Sequence, residues 1–587
     1  MAVGVRIPLG SQNLLNNFLT GFFLFITIIT LLFYLNLKNI YDKLKKMQKD
    51  SPIIYLLIFI FFSTIYYFSI SYVVSISHDS IWYLNIIEKR ELYFNPHHIL
   101  YHQFAVYWDI FLKLFSNNIT AITSVSFLNS IFGSLTLIVL FKLFYKILKF
   151  DFVLSLIGIN VIGFSFGFWY YSSCIEVYII PLFFIILTIY FLISDINILK
   201  KTKLAALTLG LAILFHQLNI FFIPIVLIYL FIKSKNENLK YWKLLIHFFV
   251  VFIPLIIIPY LFAAIIINKN YTVLAIWNYL TLYGHGSEFW EPFRITSFIK
   301  AFIGFIRALI SFHFIINIEQ IKTLFANIFH EKNIGEFSYF VQKMDIRMAY
   351  LLLILIVTYF VLILKIIIEN LKNLKAIYLK YNSIMILISG LFFIYSIFFL
   401  FWVPTNLEFW IPQSVCFWVF ILLIINYNKQ NRKYKIYNYI ITIITFLLVF
   451  INIFSCFIYS TDIKNDFYFY RMNNIIKLTD KNDIIITGGN YIIPYYLINN
   501  AKNKVFSIDY ILDSNKTLNK KELISRFLLE NISNNKIVMN FEAYFSKHQA
   551  IESYYFKDLI DEKIFKIEKF NFKNDSVFVI SKNNSKN

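Results

Sequence analysis

The chain is poorest in negative charge where it is longest. Only 18 of its 33 carboxylates fall in the first 460 of 587 residues. Cysteine is scarcer still: Cys174, Cys416 and Cys456 each lie in or beside an apolar segment, which argues against a disulfide framework or a cysteine zinc site. No cleavable leader is visible, because the first apolar segment is long and lacks a small-residue cleavage site, so it reads as a span. A basic arm is missing too. The net charge after residue 460 is only +4, from 19 basic and 15 acidic residues.

What is abundant is apolar. Hydrophobic residues make up 59% and the mean hydropathy is +0.67, against about 45–50% in soluble domains. The excess of Phe (68) and Tyr (41), with much Ile, Asn and Lys, reads as the composition of an AT-rich genome, so it is discounted as a cofactor or nucleic-acid signal. The formal charge of +21 falls mostly in short loops between apolar runs. That is a membrane-topology pattern and not a nucleic-acid face.

Twelve segments of near-spanning length are expected, at 13–36, 53–76, 119–141, 152–170, 177–194, 204–215, 218–232, 244–266, 349–368, 383–402, 407–427 and 438–459. Lys-rich stretches run from Lys38 to Lys49, Lys142 to Lys149, Lys200 to Lys203, Lys233 to Lys243, Lys365 to Lys380 and Lys429 to Lys435. The positive-inside rule places all six on the cytoplasmic side without conflict. Both termini then lie outside, with the loops 77–118 and 267–348. Segments 204–215 and 218–232 are short and read as a hairpin crossing part of the bilayer, with His216 and Gln217 at its tip. Segment 295–317 carries Lys300, Arg307 and His313 and reads as one or two amphipathic helices on the outer surface.

Three regions follow: an extra N-terminal span and cytoplasmic loop (1–52), a helical membrane bundle (53–460) and a soluble α/β domain (461–587) on the outer side. In that domain NDIIITGGNYIIPYYLINN reads as strand, Gly turn and helix. KVFSIDYIL, KIVMNFEAYFS and DSVFVISK read as strands, and KKELISRFLLEN as a helix. Gly488-Gly489 reads as a tight turn in preference to a phosphate cradle.

The polar residues gather on the outer face, including eight of ten histidines: His78, His97, His98, His102, His216, His285, His313 and His330. Ionisable groups near membrane depth are expensive and mark function. The densest cluster is SISHDSIWYLNIIEKRELYFNPHHILYHQF, with Asp79 directly after the second span. Asp79 reads either as a helix-capping residue or as a general base at the water–lipid boundary. His98 and His102 share a face if a helix begins at Pro96. The histidines carry the donor chemistry for a divalent cation, but no ligand spacing is complete, so no metal ligand is assigned. Further polar groups come from SSCIEVYIIPL (Glu176), FHQLNIFFIP (His216, Gln217), YGHGSEFWEPFR (His285, Glu288, Arg294) and FWVPTNLEFWIPQ (Glu408, Gln413).

In order, the early Asp79, NPHHILYHQF, SSCIEVYIIPL and HQLNIFFIP resemble the GT-C glycosyltransferases over roughly 53–460. The nearest branch is that of protein O-mannosyltransferases and related polyprenyl-phosphate-sugar-dependent enzymes. The resemblance implies a multi-span bundle with amphipathic helices in the first outer loop. It also implies sugar transfer from a polyprenyl-phosphate donor to a hydroxyl acceptor, with the site extracytoplasmic in a bacterial cytoplasmic membrane or, in a eukaryote, the endoplasmic reticulum. On that basis Asp79 and Glu176 are the expected catalytic residues. His78, His97, His98, His102, His216, Gln217, His285, Glu288, Arg294 and Glu408 are the expected substrate contacts. His78-Asp79 departs from the family's Asp-Glu, which leaves acceptor class and metal need open. A transporter or flippase of lipid-linked sugar, or a glycan ligase, is the alternative. The first would show mid-membrane polar residues and internal repeats, which are not seen.

Overall fold

The computed structural model describes residues 52–583 except 77, 283–289, 330–343, 489–491, 502, 509–519, 533–534, 546–555, 561–562 and 573–574. The expected span 13–36, the side chain of His78, and His285, Glu288 and His330 lie outside the described residues. The described residues divide into two compact units, one within 73–85 and 462–583, the other within 52–72 and 86–461.

The second unit is a helical bundle, and the protein is an integral membrane protein. Seven helices among the described residues are long and apolar enough to cross a bilayer: Ala121–Ile147, Gln217–Asn236, Tyr241–Ile267, Ile346–Ile368, Asn382–Phe399, Leu407–Tyr427 and Lys433–Ser460. Pro52–Phe68, Phe152–Gly163 and Ile179–Ile193 are shorter apolar helices. Hydrocarbon offers no driving force between apolar helices, so small and polar side chains make the contacts. Ser63 donates to Ser134 (2.9 Å), the Tyr66 hydroxyl to the carbonyl of Gly163 (2.9 Å), and Trp418 to Ser165 (2.7 Å). Asn452 ties three segments together, donating to the Phe164 carbonyl and accepting from the Ser311 amide.

The short-hairpin expectation for 204–215 and 218–232 needs correction. The helices are Ile198–Phe215 (18 residues) and Gln217–Asn236 (20 residues). Counting apolar residues stopped at the lysines, whereas the helices continue through them. Lys201 is buried along its stem and donates to the Ser194 carbonyl (3.2 Å). Segment 295–317 forms the 15-residue helix Ile295–Leu309 and a 3₁₀ turn His313–Asn317. The helix buries Ser297, Ala301, Gly304, Arg307 and Ala308 on one face and exposes Phe298 and Phe302 on the other. A Cβ on Gly304 would sit 2.4 Å from the Pro404 carbonyl oxygen, so glycine lets this helix reach the loop before Trp410.

The first unit carries one sheet in the order β2-β1-β3-β5-β4. Its strands are β1 (Ile484–Thr487), β2 (Lys504–Ser507), β3 (Ile537–Asn540), β4 (Phe565–Phe572) and β5 (Asp575–Lys582). β2, β1 and β3 run parallel, and β5 and β4 add antiparallel. The stretch KIVMNFEAYFS is not strand throughout: the Asn540 side chain accepts the Ala543 amide (3.1 Å) and turns Phe541–Phe545 into a helix. Sequence reading missed β4, an edge strand whose residues are mostly exposed. Gly488 exchanges both backbone bonds with the Asn540 side chain (3.0 Å each), so its turn is closed by protein.

Arg471 holds this unit. It is bidentate to Glu542 (2.5 Å each) and donates from Nε to buried Asp575 (3.0 Å). Removing one partner of a buried pair leaves an uncompensated charge, at a cost of about 3 kcal/mol. Arg471→Met is expected to speed amide exchange in β3 and β5 while helices such as Lys433–Ser460 keep their protection. Unchanged exchange in the strands would contradict this assignment.

Candidate functional site

The site grows from two breaks in helical structure. The first is the turn after Glu91. Asn95 caps the 3₁₀ helix Pro96–His98, its side chain accepting the His97 amide (2.8 Å), and Pro96 brings the φ that a helix start requires. The turn is fixed from outside. Tyr260 donates to the Pro96 carbonyl (2.9 Å), the Leu100 amide to the Leu214 carbonyl (3.1 Å), and Gln103 to the Tyr93 carbonyl (2.7 Å). Helix Tyr101–Lys113 follows and carries His102.

The second break separates helix Ile198–Phe215 from Gln217–Asn236. His216 there is extended (φ −156°, ψ 112°), and its Nδ1 accepts the Leu218 amide at 3.3 Å. Asn219 satisfies the broken backbone, donating to the carbonyls of Ala212 and His216 and accepting from Tyr395 (2.9 Å).

These two breaks bring four expected residues together. The His98 and His216 rings lie 4.7 Å apart, His97 and His98 5.3 Å, His97 and His216 5.4 Å, and His98 and His102 6.3 Å. Nitrogens of His97, His98 and His216 all lie within 4.8 Å of one another. Burial pushes the pKa of His97 down to about 4 and that of His102 to about 3, so both are neutral at pH 7. His98 moves the same way, through burial and its histidine neighbours.

Glu408 approaches the cluster through tyrosines. It accepts from Tyr171 (2.7 Å), Tyr178 (3.0 Å) and Asn406 (2.8 Å). The Tyr178 ring lies 5.3 Å from His216. A small cavity of about 30 Å³ is lined by Tyr178, His216, Asn219, Tyr395, Glu408 and Phe409, among others. Glu176 is buried, and its backbone carbonyl accepts from Asn129 (2.7 Å). This arrangement offers a carboxylate, phenols and neutral imidazoles to a polar ligand, a set suited to sugar hydroxyls.

Asp79 belongs to the other compact unit, and several expected residues of the bundle do not join this cluster. Asp79 is exposed in the first turn of helix His78–Lys89, where negative charge suits the helix dipole. Arg294 is exposed at the start of helix Ile295–Leu309. Gln217 donates to the Leu280 carbonyl (3.0 Å) and so positions a loop. Arg307 is buried against the Thr405 carbonyl (2.8 Å) and His313, and Lys300 pairs with Glu291 (2.8 Å). Gln413 is fully buried. Sequence reasoning missed Tyr171, Tyr178, Asn219 and Tyr395. The signal for Tyr178 was its place two residues after Glu176, masked by the general abundance of tyrosine.

No protein-family model matches the chain, and no curated protein sequence matches it. Solved structures do. The crystal structure of ArnT from Cupriavidus metallidurans bound to undecaprenyl phosphate superposes with a TM-score of 0.52 at 8% identity, covering 90% of this chain and 98% of ArnT. The apo state of the same protein gives 0.51 with the same coverage. The oligosaccharyltransferase of Archaeoglobus fulgidus gives 0.41 at 13% identity, over 84% of this chain and 68% of that one. The likeness to ArnT runs nearly end to end, and this chain shares the fold of that protein.

Proposed function

We propose that the chain is a glycosyltransferase that moves a sugar from a polyprenyl-phosphate donor to a hydroxyl acceptor at the extracytoplasmic face of the membrane, with Asp79 as general base. The observation that carries this reading is the near end-to-end likeness to ArnT, a protein captured with undecaprenyl phosphate. The distribution of lysine-rich loops supports the outer-face placement.

A lipid-phosphate donor keeps its tail in the bilayer and presents its sugar at the surface. In a single displacement the acceptor oxygen attacks the anomeric carbon while its proton passes to Asp79. The bond from that carbon to the phosphate oxygen breaks, and its electron pair leaves on the polyprenyl phosphate. The anomeric configuration inverts. Asp79, exposed at a helix start, has the access this role requires. Arg294, the exposed cation among the expected contacts, is placed to meet phosphate charge. Glu408, with Tyr171 and Tyr178, provides acceptors and donors for sugar hydroxyls. On this reading residues 53–460 carry catalysis and the C-terminal part binds or covers, with Asp79 in the stretch 73–85 that clusters with residues 462–587.

Asp79→Asn preserves shape and removes the base. Purified full-length protein in lipid, supplied with extracted polyprenyl-phosphate sugars, should lose at least ~100-fold in turnover with little change in donor KM. Wild-type turnover in this variant would refute the base assignment. Cell-envelope glycans unchanged on deletion of the gene would refute the transferase reading itself.

Glu408→Gln leaves one acceptor oxygen for two phenols. The expected result is a KM increase of about 10-fold with a smaller effect on turnover. An unaltered KM would remove Glu408 from the binding site.

A further inference from the structure

The three imidazoles of His97, His98 and His216 take no part in the proton transfer to Asp79, and this inference gives them a role within the proposed transferase site. They come from two separate breaks in the helices, yet their rings lie 4.7–5.4 Å apart and their ligand-capable nitrogens within 4.8 Å. Three packed aromatic rings, two pairs edge to face and one tilted, need no polar atoms, and phenylalanine is this chain's commonest aromatic residue. Histidine at all three positions therefore calls for a reason.

We propose that His97, His98 and His216 bind one divalent transition-metal ion of the zinc class, leaving its fourth position open towards the cavity that His216 lines.

The donor chemistry fits. Three imidazoles and one open position are a recurrent zinc arrangement, with Zn–N bonds of about 2.0–2.1 Å. Tetrahedral geometry then sets nitrogens about 3.4 Å apart. The observed spacing of up to 4.8 Å requires closure by about 1.4 Å at most, within reach of side-chain rotation. The outer shell is also in place. His98 is buried beside the break, and the Asn95 carbonyl accepts its backbone amide (3.0 Å). The backbone on either side of the set is held by Tyr260, Asn95 and Asn219, so the ligands are presented by anchored turns.

Binding would have one structural consequence. Nδ1 of His216 accepts the Leu218 amide at 3.3 Å, so a neutral ring carries its proton on Nε2. Ligation through Nδ1 replaces that contact. Ligation through Nε2 moves the proton to Nδ1 and breaks it. In both cases the Leu218 amide contact is lost. Three neutral ligands leave the ion with its full charge, and the open position prefers an anionic oxygen. The cavity borders both His216 and Glu408, so a phosphate or carboxylate oxygen can approach there.

The test uses the full-length protein in detergent, purified without a polyhistidine tag, stripped with a chelator and titrated with Co²⁺ alone. One equivalent should bind with the intense visible bands of four-coordinate cobalt, and Zn²⁺ should displace it. His97→Ala and His216→Ala should each weaken binding at least ~10-fold. His247→Ala, at a half-exposed histidine bonded to the Lys243 carbonyl, should not. Absence of a stoichiometric cobalt site in the wild type overturns the proposal without recourse to any variant. Full retention of the site in both triad variants does the same. The readout does not depend on turnover, so a failed metal site and a failed transferase reading remain distinguishable.

Discussion

The bundle depends on how one stretch of non-helical backbone is satisfied. Between the helix Phe166–Tyr171 and the helix Ile179–Ile193 the chain runs unwound through residues 172–178. Buried carbonyls there have no helical partner, and leaving them bare costs several kcal/mol each in a membrane. The neighbouring helix Ala121–Lys142 supplies the donors. Asn129 donates to the carbonyls of Cys174 (2.8 Å) and Glu176 (2.7 Å), and Ser130 donates to that of Ser172 (2.9 Å). The Ser71 amide takes the carbonyl of Ser173 (2.9 Å). Gly133 clears the space: a Cβ there would lie 2.4 Å from Ser172 Oγ. Because this turn is pinned, Tyr171 and Tyr178 stand on either side of Glu408, and Tyr178 reaches His216.

The same turn shows why the sequence was only partly legible. Span positions follow from apolar length and lysine placement, and each expected segment between 53 and 459 overlaps a helix. The parallel strands of the C-terminal part were readable because buried runs such as IIIT and IVMN lie between turn signals. Charge identity misled in two places. Arg307 and Lys300 mark segment 295–317 as an outer-surface amphipathic stretch, yet each is already bonded within the protein. Nor does sequence show that His97 and His216, 119 positions apart, meet. Their contact depends on Tyr260 and Leu214 holding the turn at Pro96, and nothing local encodes that.

The scarcity of carboxylates gives weight to the kind of partner each has found. Asp109 pairs with Lys113 (2.6 Å), Glu291 with Lys300 (2.8 Å), and Glu369 with Lys433 (3.2 Å) and Tyr437. A carboxylate neutralised by an adjacent cation is held in place, and its remaining field is small. Glu408 is held by two phenols and an amide. Hydrogen bonds from these donors fix its position at a cavity wall, where it can meet a ligand. The neighbouring imidazoles are neutral, which costs less to bury than lysine or arginine. A carboxylate held by phenols and an amide at a cavity wall offers hydrogen-bonding capacity to a polar ligand. Had evolution placed Arg307 across from Glu408 instead of against Thr405, the pair would have been stable and chemically silent.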